Sequence, residues 1–163
     1  MTSNVVGIAD MKISDNGTLV TYGLGSCIGI AIYDKMTKQS GLIHIMLPRR
    51  DYFSVVENPF KFADSGISLM VDELVKRGAS RKTLRAKIAG GATIYFGNNN
   101  KADIFDIGNM NIDATFNILK KLNIDVVGQD IGGHYSRTIE FDINKSVLNV
   151  KRIYKEGVNF LEL

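Results

Sequence analysis

The sequence predicts one α/β (α+β) domain over residues 1–163, layered, rich in antiparallel strands and carrying two main helices. Three observations lead there. Short runs of alternating or β-branched apolar residues recur along the chain, each closed by Gly, Asn or Pro. Two other stretches space their apolar residues at helical intervals. With 163 residues, 45% hydrophobic and 23% charged, the chain has the size and balance of one globular core. Many strands and few helices then favour a sheet-dominated layered fold.

Taken in order, residues 5–13 and 18–22 read as strands about the turn signal Asp15-Asn16-Gly17. Residues 27–33 alternate small and branched side chains, and after a polar stretch residues 42–47 form a second apolar run. Pro48 ends that run because it cannot donate to a central ladder. Asn58-Pro59 starts a helix, Pro being tolerated in the first turn. Ala63, Ile67, Met70 and Leu74 lie on one of its faces, and Gly78 stands where a cap is needed. Residues 85–92 read as a strand and Asn98-Asn99-Asn100 as a loop tip. A second helix is expected over 112–122, with Phe116, Leu119 and Leu122 inward. Strands near 124–130, 137–143 and 147–153 complete the chain.

Composition narrows the function classes. Net charge is +3, too mild a bias for a nucleic-acid binder without a recognisable module. The cations Lys76, Arg77, Arg81, Lys82, Arg85 and Lys87 read as a solvated face about a helix end. No run approaches the roughly 20 apolar residues of a membrane span, and Met1-Thr2-Ser3-Asn4 does not begin a secretory leader. A single cysteine rules out an internal disulfide. The expected setting is the cytoplasm, without direct membrane insertion.

That cysteine is the first candidate for chemistry. A lone cysteine is most often a small buried hydrophobe. Cys27, however, follows Gly23-Leu24-Gly25-Ser26, a segment able to turn sharply, with Gly25 and Ser26 as candidates to line an oxyanion or substrate site. His44 interrupts an apolar run. If residues 27–33 and 42–47 form a hairpin about 34–37, one register sets Cys27 directly opposite His44 and Ile28 opposite Ile43. An imidazolium beside the thiol would favour the thiolate. Thr21, Asp34 or Asp51 could orient the imidazole, and spacing alone does not choose among them. No CxxC or HxxxH spacing supports a metal at Cys27, His44 and His134, and no cofactor is implied. Gly90-Gly91-Ala92 reads as a strand-end turn and His134 as an exposed loop residue.

Leu24-Gly25-Ser26-Cys27 together with His44-Ile45-Met46-Leu47-Pro48 closely resembles the CheD family of chemoreceptor glutamine deamidases. Lys61-Phe62-Ala63-Asp64-Ser65-Gly66-Ile67, Lys87-Ile88-Ala89-Gly90-Gly91-Ala92, Ile107-Gly108-Asn109-Met110-Asn111, Asp130-Ile131-Gly132-Gly133 and Arg137 extend the likeness in order across nearly the whole chain. Met110 and Ser136 depart from the pattern, outside the catalytic positions. The resemblance implies a layered α/β sandwich similar to that of a toxin that deamidates small GTPases. It implies a Thr–Cys–His set at Thr21, Cys27 and His44, and hydrolysis of receptor glutamine side chains through a cysteine thioester. The partners it implies are methyl-accepting chemoreceptors and a CheC-like phosphatase. Two rivals share the same cleft: a receptor methylesterase, and a non-catalytic module regulating such a phosphatase.

Overall fold

The computed structural model describes residues 4–55, 57–93 and 106–163. Among these residues nine strands and two α-helices follow in the order β1 (Met11–Ser14), β2 (Thr18–Leu24), β3 (Ile28–Asp34), β4 (Ser40–Ile45), α1 (Ala63–Lys76), β5 (Leu84–Gly90), α2 (Ile107–Lys121), β6 (Asp125–Ile131), β7 (Ser136–Asp142), β8 (Val147–Tyr154) and β9 (Gly157–Glu162). They form a five-stranded sheet, β1-β4-β3-β5-β6, and a four-stranded sheet, β2-β7-β8-β9. Every pairing is antiparallel except β5 with β6. The expected fold class is the one observed.

Strands β3 and β4 are buried along their whole length, because the five-stranded sheet is covered on both faces. Ile28, Ile30, Ile32, Ile43 and Ile45 point towards the helices, where Ala63, Ile67, Met70 and Leu74 meet them. The alternate residues, Ala31, Tyr33 and Leu42, point to the other side and pack on Leu19, Ile139, Phe141, Leu148 and Val150 of the four-stranded sheet. Helices, five-stranded sheet and four-stranded sheet are therefore three successive layers with two apolar seams.

Several boundaries differ from the sequence expectation, each for a local reason. Residues 5–13 do not form one strand: Val5 makes an isolated bridge to Val20, and regular pairing starts only at Met11. Asp15-Asn16-Gly17 joins two strands that do not pair with each other; β1 lies in one sheet and β2 in the other. Asn58 caps a short 3-10 turn, Pro59–Lys61, through Phe60 N, and α1 begins only afterwards. Helix α2 starts five residues earlier than its apolar spacing suggests, since Asp106 caps it by accepting from Asn109 N. Strand β9 was not foreseen. Lys87, expected in a solvated face, is buried between the sheets and donates to the carbonyls of Ser146 (2.6 Å) and Leu163 (2.8 Å). Asn98-Asn99-Asn100 lies outside the described residues. Among the described residues no helix is long and apolar enough to cross a membrane.

Candidate active site

Cys27 is the residue immediately before β3, and His44 lies near the end of β4. The register of the two strands pairs Gly29 with His44 and Ile28 with Ile45. This corrects the direct Cys27–His44 pairing expected from sequence. The connection runs two residues longer than assumed, closing with Tyr33 opposite Ser40, because Asp34 folds it into a turn. Its carboxylate accepts from Met36 N (3.0 Å), Thr37 Oγ1 (3.1 Å) and, across the fold, Ser80 N (3.1 Å). A two-residue slip preserves the face of a side chain. Cys27 and His44 thus remain on the seam facing the four-stranded sheet, as diagonal rather than opposed neighbours, at a Cα separation on the order of 7–8 Å.

Gly29 makes room for this arrangement. A Cβ there would come within 2.4 Å of Ile139 Cδ1 and 3.2 Å of Leu24 Cδ1, so the four-stranded sheet closes tightly beside the imidazole. Gly90 serves the neighbouring turn: its φ is +121°, and a Cβ would lie 2.2 Å from the Cys27 carbonyl oxygen. The Gly90-Gly91-Ala92 segment holds the cysteine loop by donating from Gly91 N to Cys27 O (2.9 Å) and from Ala92 N to Gly25 O (2.8 Å). It is a strand-end turn, as expected.

Thr21 comes from the opposite sheet. Its hydroxyl donates to Val6 O at 2.8 Å and lies 2.8 Å from His44 Nδ1. A hydroxyl has one proton. With that proton given to Val6, the Thr21 oxygen accepts from Nδ1–H, and Nε2 carries the lone pair. Nε2 is buried and has no hydrogen-bond partner among the described residues, the Cys27 thiol included. Of the three groups open to orient the imidazole, Thr21 contacts it. Asp34 is committed to its turn, and Asp51 pairs with Arg49 at the surface.

Electrostatics follow from burial. His44 has no exposed surface, and desolvation lowers its pKa from 6.5 to about 4. Burial pushes the Cys27 thiol up, offset in part by its own backbone N–H. At neutral pH the resting pair is therefore thiol and neutral imidazole, not the thiolate–imidazolium pair expected from sequence; a dry seam disfavours both charges. The arrangement suits proton transfer from the thiol to Nε2 during attack, a contact that need not be short before substrate binds.

The same shift makes stability pH-dependent. His44 takes a proton near 6.5 when unfolded and near 4 when folded. Its contribution is fully present above pH 6.5 and is lost as pH falls through the window towards 4. Between pH 8 and pH 5 the expected loss is about 2 kcal/mol. Urea unfolding of the wild type and His44→Gln at both pH values measures it. The wild type should lose about 2 kcal/mol more than the variant; equal losses would exclude a neutral buried His44.

Two residues of the region were not singled out individually by sequence. Asn111, buried on α2, donates from Nδ2 to both Ser26 O and Met46 O at 2.9 Å. Asp130 ties together Arg137 (2.9 Å) and Arg152 (2.7 Å), while Arg137 also donates to Gly132 O (2.9 Å) and Gly90 O (3.4 Å), behind the cysteine loop. His134 is exposed, its Nδ1 2.8 Å from Thr93 O. Among the described residues no group of three His, Cys, Asp or Glu side chains is arranged for a metal. A groove of about 1110 Å³ lies between β1 and α1 and includes none of Thr21, Cys27 and His44. A half-buried thiol needs no deep pocket to meet a side chain offered by a macromolecule.

Comparison with known proteins places this chain in a family. The model of the family described as CheD chemotactic sensory transduction matches residues 46–152. The chain belongs to the CheD family. Several relatives bear the name probable chemoreceptor glutamine deamidase CheD. That of Caldanaerobacter subterraneus subsp. tengcongensis is 46% identical, the alignment covering 96% of each chain. That of Clostridium tetani is 41% identical over 97% of this chain and 94% of its own. That of Clostridium kluyveri is 44% identical over 91% of both. The family match begins after His44, but the alignment to the Caldanaerobacter CheD leaves out only 4% of this chain, so it takes in the Thr21, Cys27 and His44 positions.

Proposed function

We propose that this protein deamidates glutamine side chains of methyl-accepting chemoreceptors in the cytoplasm, with Cys27 as nucleophile, His44 as general base and acid, and Thr21 as the group that orients His44. The observation that carries the reading is the unpartnered lone pair on His44 Nε2, set by the Thr21 contact on Nδ1 and facing the same seam as the thiol. Membership of the CheD family and the relatives named as chemoreceptor glutamine deamidases supply the substrate class.

The chemistry runs in two halves. The thiol proton passes to Nε2 as Sγ bonds to the carboxamide carbon, and the carbonyl oxygen takes the negative charge. The imidazolium then protonates the amide nitrogen, the C–N bond breaks, ammonia leaves and a thioester remains. Water gives a proton to Nε2, adds to the thioester carbon and displaces the thiolate, which takes the proton back. Glutamate and the thiol are the result. A neutral His44 suits both halves, because it enters each one unprotonated.

The test is to incubate the protein with cytoplasmic domains of candidate receptors and to map glutamine-to-glutamate conversion by peptide mass spectrometry. Conversion at defined receptor glutamines is expected. A wild type that converts none of them, while releasing methanol from receptor methyl esters, would replace deamidation by esterase chemistry at the same carbon. Adding a CheC-like phosphatase examines the partner that the family resemblance implies: binding over the Cys27 cleft should slow conversion competitively.

A further inference from the structure

Asn111 projects from the buried face of α2 and has no exposed surface. One amide nitrogen reaches two backbone carbonyls at 2.9 Å: that of Ser26, directly before Cys27, and that of Met46, two residues past His44. A trans peptide points its C=O and N–H in opposite directions. With the Ser26 carbonyl turned to α2, the N–H of Cys27 is directed away from the helix. That N–H lies beside its own thiol, whose pKa it lowers. Among the described residues it donates to no carbonyl.

The neighbouring peptides are already held. Gly25 O and Cys27 O accept from Ala92 N and Gly91 N, and Met46 N donates to Lys61 O at 2.9 Å. What those bonds leave to Asn111 is the rotation of the plane between Ser26 and Cys27. Among the described residues, Asn111 Oδ1 is buried without a donor, and Thr115 Oγ1, one turn further along α2, has no partner either. A residue serving packing alone has no reason to carry an orphaned buried acceptor.

We propose that Asn111 is a positioning residue for the oxyanion hole: it locks the Ser26–Cys27 peptide so that Cys27 N–H meets the charge developing on the substrate carbonyl oxygen. The proposal rests on Cys27 being the nucleophile. Asn111 touches no substrate; it acts through the plane it fixes. Ser26 contributes its carbonyl to that lock, and the Gly25 carbonyl just before it is held by Ala92 N.

Asn111→Asp keeps the shape of the side chain and removes the donor; Asn111→Ala removes both. In each, kcat for glutamine conversion should fall about 100-fold, the cost of losing one oxyanion donor, with KM within about twofold. Alkylation of Cys27 by iodoacetamide should stay within about threefold of the wild-type rate, since displacing iodide from a saturated carbon develops no oxyanion. A kcat near the wild-type value, or an alkylation rate that falls with kcat, overturns the proposal.

Should neither variant fold, the wild type itself decides. A receptor peptide carrying an aldehyde in place of the glutamine carboxamide takes up the thiol across its C=O: the S–C bond forms and the thiol proton passes to oxygen. The Cys27 amide proton should then move downfield in the NMR spectrum as it donates to that oxygen; an unmoved signal overturns the proposal. Cys27→Ala is run beside every arm. Conversion retained in Cys27→Ala means the nucleophile is wrong; normal conversion in Asn111→Asp with an inactive Cys27→Ala means that only the oxyanion assignment is.

Discussion

Cys27→Ala is expected to abolish conversion of receptor glutamine to glutamate while leaving the fold intact. The side chain is half-buried at the rim of the inter-sheet seam and packs only at the edge of its apolar cluster. The loop that carries it is held through the backbone by Gly91, Ala92 and Asn111. Trading sulfur for hydrogen removes little packing, so thermal unfolding should shift by no more than about 3 °C. The rate should fall by a factor on the order of 10⁴ or more, because removing the nucleophile removes the intermediate, not one contact to it. Peptide mass spectrometry and a thermal melt on the same sample check both halves. A variant that stays folded and still converts glutamine would return Cys27 to the role of a small apolar residue.

Asp130→Ala carries the largest expected effect on stability. Asp130 is 6% exposed and accepts from Arg137, which has no exposed surface, and from Arg152. Burial alone would push the Asp130 carboxyl up; the two guanidiniums more than offset it and hold it below the usual range. Without the carboxylate, Arg137 remains buried with a full charge, two backbone carbonyls and the Tyr135 ring 4.2 Å from its guanidinium. Breaking a buried pair from one side costs about 3–5 kcal/mol, which for a chain of this size lowers the melting temperature by about 10 °C. Arg137→Met combined with Asp130→Ala should recover part of the loss, since the stranded charge is then gone too. A single variant as stable as the wild type would show that the charge finds water.

Much of this was legible in the sequence, and the exceptions have physical causes. Ala63, Ile67, Met70 and Leu74 carry a helical period that burial obeys without exception. The buried strands β3 and β4 announced themselves as apolar runs with one polar interruption, His44. The register between them did not, because it depends on a turn that Asp34 builds from side-chain contacts, one of them to Ser80, 46 residues away. Apolar periodicity also concealed Asn111. It directed attention to Phe116, Leu119 and Leu122, of which only Leu119 lies on the fully covered face of α2, with Gly108, Asn111 and Thr115; the other two are partly buried. A polar residue at the centre of a helix's inward face, inside a motif quoted for its family likeness, was the available signal. Lys87 misled for the converse reason. Its charge argued for water, yet β7, β8 and β9 arrive late in the chain, and the carbonyls of Ser146 and Leu163 beside them accept from it.

The placement of Thr21 has a consequence for how this protein comes into being. Strand β2 is synthesised early, but its ladder partner is β7, and Thr21 sits opposite Ile139. The seam that dehydrates His44 is closed by Ile139, Phe141, Leu148 and Val150, all from the last quarter of the chain. A nascent chain that has made only its first strands therefore lacks the sheet that encloses His44. On the proposed mechanism, competence for hydrolysis arrives only with the final strands.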